Sequence, residues 1–107
     1  MTTIKLVQED RLPNTPVSLT DADTGLPIDL SEAAYVTLNY RPLGATSAIV
    51  VECTIEDAAQ GLISINWGAN TLAVAGLHEG EFVITHANGK TYTVYKKQPF
   101  NVREQIA

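Results

Sequence analysis

Side chains able to do chemistry are few in this 107-residue chain, and their spacing limits what they can do. The stretch DADTGLPIDL, residues 21–30, holds three aspartates and a glycine. An EF-type calcium loop needs oxygen ligands at positions 1, 3 and 5 and glycine at position 6. Asp21 and Asp23 fit positions 1 and 3, but Gly25 falls at position 5 and Pro27 interrupts the loop. The same residues suit a tight turn in which aspartate side chains bond nearby amides and Gly25 takes a left-handed conformation. That turn is the expectation, with Ile28 and Leu30 pinning the corner to the core.

His78 and His86 could join Asp57, Glu79 or Glu81 in a metal or acid–base site. They lie eight residues apart, with no HExxH spacing and no second cysteine to support them. One histidine near an end of the fold and one at a strand tip is expected. Cys53 falls in the most apolar strand, where burial would raise its thiol pKa and leave it inert. Glu56 and Asp57 are adjacent, so on a strand they point to opposite faces and cannot share a substrate. No serine lies in a G-x-S-x-G turn, and no glycine-rich loop opens a helix. Trp67 with Tyr35, Tyr40, Tyr92 and Tyr95 could form a sugar-stacking platform, but a core role for the single tryptophan competes with it. The sequence therefore assigns no catalytic, cofactor-binding or metal-ligating residue, and the expected protein is not an enzyme.

The elements that would position these residues are short and period-two. Alternating apolar patterns run through residues 3–8, 15–21, 34–40, 47–57, 61–67, 80–86, 90–96 and 99–104. They are rich in Val, Ile, Thr and Tyr, which fit a pleated, half-buried surface. Asn88-Gly89 is a strong hairpin signal, and 58–61 and 41–47 read as further turns. Only residues 68–80, alanine-rich and glycine-bounded, break the pattern; they read as a crossing loop with room for one helical turn. Seven or eight short strands argue an all-β fold, an Ig-like antiparallel β-sandwich with Greek-key connections. Residues 1–107 read as one domain, with extended arms at 1–11 and 100–107.

Composition narrows the partners. Twelve acidic against seven basic residues give a net charge of −5, poorly suited to phosphate backbones or an anionic membrane. One cysteine allows no intrachain disulfide. No window has the apolar length of a membrane-spanning helix, and the start lacks the apolar core of a signal peptide.

The order of the turns carries a resemblance. Asp21 to Gly25 is followed by Pro27-Ile28-Asp29-Leu30-Ser31. Downstream come Asp57-Ala58 with Gly61, then Trp67, Ala75-Gly76, Gly80-Glu81-Phe82 and Asn88-Gly89-Lys90. Over residues 15–103 this resembles the Ig-like N-terminal domain of tailed-phage baseplate upper proteins and related small phage tail proteins. The sequence departs where the family often has an aromatic two residues before the Gly-Glu pair; here His78 stands, able to bond backbone through a ring nitrogen. The resemblance implies a structural virion protein, a tail or baseplate adaptor made in the host bacterial cytoplasm. Its partners would be other virion proteins and copies of itself. A capsid decoration or cement protein is the alternative, and a carbohydrate-binding adhesion module a further one. The arms at 1–11 and 100–107 are expected to pair with a neighbour's sheet edge.

Overall fold

A computed structural model describes residues 3–10, 14–68 and 72–106. The described chain contains strands and no helix: β1 (Ile4–Val7), β2 (Thr15–Ser18), β3 (Ala33–Pro42), β4 (Ile49–Asp57), β5 (Leu62–Ile65), β6 (Gly76–His86), β7 (Thr91–Thr93) and β8 (Gln98–Arg103). They form one sheet in the order β1-β8-β6-β3-β4-β5-β2, with β7 paired to β6. The sheet curls until its end strands, β1 and β2, line the same groove. The expected all-β class is thus present, and curling supplies the two layers of a sandwich. One pairing departs from a wholly antiparallel arrangement: β1 runs parallel to β8.

Alternation explains most of the packing. In β3, Val36, Leu38 and Tyr40 are buried while Thr37 and Asn39 face outward. Registered opposite them on β6 are Ile84, Phe82 and Gly80. Residues opposed across a ladder share a face, so this register places two rows of apolar side chains in one core. Phe100 and Val102 of β8 and Ile63 and Ile65 of β5 complete it.

Residues 76–79, expected in a loop, instead begin β6. They pair with β8 and with Arg41 and Pro42 of β3. The inward residues at this end are His78 and Gly80, so the alternation carries no aliphatic signal. Small size at Gly80 is required. A Cβ there would lie 2.6 Å from Leu38 Cδ1 and 3.1 Å from Phe100 Cε2. Residues 69–71, also part of that expected loop, lie outside the described residues. Of the expected terminal arms, residues 4–7 form β1 and 100–103 lie within β8, between β1 and β6.

Candidate functional site

The corner at residues 21–25 is a turn that satisfies itself. Asp21 Oδ1 accepts from the amides of Asp23 (2.8 Å) and Thr24 (3.2 Å), and its carbonyl accepts from Gly25 N–H at 2.8 Å. Gly25 has φ of +73°, the left-handed value the sequence implied. Thr20 then bridges to Pro27, Ile28 packs against the core and Leu30 is buried. Asp29 Oδ1 accepts from both the amide and the hydroxyl of Ser31, which lowers its carboxyl pKa. Glu32 occupies the twelfth position counted from Asp21, a match to the calcium pattern that makes the sequence more ambiguous than its turn chemistry suggests. Among the described residues, no three of His, Cys, Asp and Glu group so as to hold a metal ion.

The histidines sit at opposite ends of β6. His78 is buried and stacks on Tyr40, with centroids 4.8 Å apart and planes 6° from parallel. Its Nδ1 lies 3.1 Å from the Gly76 carbonyl, so the ring bonds backbone at this corner as an aromatic hydroxyl would. His86 pairs in register with Ala33 at the far end, roughly 26 Å away along eight strand residues. Cys53 is half-buried and burial pushes its thiol up to about 12, the inert environment expected. Glu56 accepts from the Ser64 hydroxyl at 2.8 Å.

Trp67 belongs to the core. It is buried edge-on against Tyr40 and Phe100, and its indole N–H donates to Thr15 Oγ1 at 2.8 Å. Tyr35 is registered opposite Thr85 and Tyr92 opposite Ile84, so these two exposed tyrosines stand on opposite faces of the sheet. The aromatic residues proposed for a sugar platform therefore do not share a plane.

One polar cluster was not foreseen. On the outer face, Arg41 Nε donates to Glu79 Oε2 at 2.8 Å, and Lys97 Nζ lies 3.4 Å from Oε1. The Arg41 hydrogen bond holds the Glu79 carboxyl below its ordinary value; burial opposes this, and the two cations add to it. Asn39 and Glu81 extend the row across an open groove of about 350 Å³. Arg41 and Glu79 are 38 residues apart, and only the β3–β6 register brings them together.

The two end strands of the sheet also present backbone at their outer edges. Leu19 N–H donates to the Gly61 carbonyl, so alternation turns residues 15, 17 and 19 toward β5 and residues 16 and 18 toward the free edge of β2. Pro16, on that edge, has no N–H to offer. On β1, Gln8 N–H donates to the Arg103 carbonyl, so residues 4, 6 and 8 face β8. Lys5 and Val7 face the open side, and the Val7 carbonyl accepts from Asp10 at 3.2 Å.

No protein-family profile and no curated protein sequence matches this chain. Solved structures do share its fold. CopC from Methylosinus trichosporium OB3b superposes with a TM-score of 0.57 at 9% identity, over 100% of this chain and 89% of that one. The N-terminal domain of ORF48 from phage TP901-1 superposes with a TM-score of 0.65 at 15% identity, over 97% of this chain and 85% of that one. This chain therefore has the fold of a phage protein domain, a fold found also in CopC.

Proposed function

We propose that this chain is a non-enzymatic structural component of a tailed-phage virion: an Ig-like module that serves as a tail or baseplate adaptor. It acts through contacts with other virion proteins and with copies of itself. The observation that carries this reading is the likeness to the phage TP901-1 domain across 97% of the chain. Fold alone does not assign function, and the likeness to CopC illustrates the point. The phage reading is favoured by the higher TM-score together with the ordered turn motifs from Asp21 to Lys90. It is supported also by the placement of His78, Cys53 and Trp67, each tied into packing.

The test is physical association with particles. Purified particles of the phage that encodes this chain should contain it by mass spectrometry, and density for it should lie at the tail. Density on the capsid shell would replace the adaptor with a decoration protein. Absence from purified particles would end the structural reading.

A further inference from the structure

Among the described residues β1 pairs with one strand, the outer edge of β8, and holds it by a four-residue parallel ladder from Ile4↔Phe100 to Val7↔Arg103. Parallel pairing is slightly the weaker kind per residue. The side chains of Ile4 and Leu6 are only partly buried, whereas Phe100 and Val102 beneath them belong to the core. The turn that follows β1 is where the backbone is strained. Asp10 N–H donates to the Val7 carbonyl at 3.2 Å, closing a four-residue turn with Glu9 in third position. Glu9 has φ of +70°, and among the described residues it is the one non-glycine with positive φ. Turns of this shape favour Gly or Asn there, because a Cβ crowds the backbone. Glu9 is held by a tertiary bond, its N–H donating to the Leu72 carbonyl at 3.0 Å.

An edge strand joined by a strained hinge is the geometry from which chains exchange identical elements. We propose that β1 is an exchangeable strand, which leaves β8 of its own chain and pairs in the same register with β8 of a second copy. The occupant is fixed by identity. The β1 of another copy makes the same four pairings, so the ladder contributes equally to the closed and exchanged forms. What differs is the hinge: extending Glu9 relieves its positive φ but gives up its bond to the Leu72 carbonyl and the Asp10–Val7 turn bond, and the exchanged form also carries the entropy of association. Exchange therefore grows with concentration, and is strongest where copies are held close together. The inference rests on the adaptor reading for its use in assembly, but the exchange itself is a property of the isolated chain.

The experiment uses the 107-residue chain carrying Cys53→Ala to remove the native thiol. Lys5 and Asn101 are exposed and in register, so Lys5→Cys is placed in one chain and Asn101→Cys in another. A third chain carries both. The double-cysteine chain should close on itself under mild oxidation at low concentration. Mixed single-cysteine chains should give a covalent heterodimer on a non-reducing gel, in rising yield with concentration. Adding Glu9→Gly, which relaxes the closed turn, should lower the heterodimer yield several-fold. Adding Glu9→Pro, which forbids positive φ, should raise it. Ready closure of the double-cysteine chain with no heterodimer at millimolar concentration would overturn the exchange. So would a yield indifferent to both Glu9 variants, or failure of the double-cysteine chain to close. Exchange in solution by a chain absent from particles would sink the adaptor reading alone.

Discussion

At the scale of single residues, two positions test the packing most sharply. Gly61 has φ of +64°, and a Cβ there would lie 2.6 Å from the Leu19 carbonyl oxygen and 2.7 Å from that of Ile28. Both obstacles are backbone, and the Leu19 N–H also donates to Gly61, so neither can move cheaply. Gly61→Ala should destabilise the protein by about 3 kcal/mol or more, read from denaturant midpoints. Tyr40 presents the opposite case. Its ring is central to the aromatic cluster, yet its buried hydroxyl has no hydrogen-bond partner among the described residues. Tyr40→Phe keeps the ring and removes the desolvated group, so stability should hold or rise by about 1 kcal/mol. A clear loss in thermal midpoint would show that the hydroxyl is satisfied. The Asp21–Gly25 turn was legible in the sequence because its bonds are all local. The His78 stack on Tyr40 was not, because the partner comes from another strand.

At the scale of elements, sheet edges and cross-strand pairs set the behaviour. Glu79 has a depressed pKa, so its contribution is present above the ordinary carboxyl value near 4.5 and is lost as pH falls through the lower folded value. Thermal midpoints measured from pH 7 to pH 3 should fall less steeply for Glu79→Gln than for the parent, with the two curves converging at the acid end. The gap at pH 7 should also shrink in high salt, since Arg41 and Lys97 are partly exposed. The β2 edge is blunted by Pro16, which points its missing N–H outward. Pro16→Thr would restore a donor there while leaving the β5 ladder intact. Concentration-dependent light scattering should increase in that variant, and no increase would mean the edge is covered by other means. The strands themselves were readable from alternation, apart from residues 76–79. There the inward positions are His78 and, just beyond, Gly80, which carry no aliphatic period.

At the scale of the whole molecule, the core is one cluster of buried side chains from β2, β3, β4, β5, β6 and β8, with Leu19, Leu30, Trp67, Leu72 and Val94 added from connections and β1 packed against it through Ile4 and Leu6. Unfolding followed by Trp67 fluorescence and by far-UV circular dichroism should therefore give coincident transitions. Separated midpoints would show that part of the sheet melts independently. The sequence by itself determined the all-β class, the positions of most strands and the local turns. These depend on side-chain alternation and on backbone preferences within a few residues. Only the tertiary structure decided the parallel seating of β1 on β8, the Arg41–Glu79–Lys97 cluster, the single curled sheet and the strain at Glu9. Each of these arises from contacts between segments far apart in the chain. A local pattern records which face of a strand is apolar, and it leaves open which strand lies beside it.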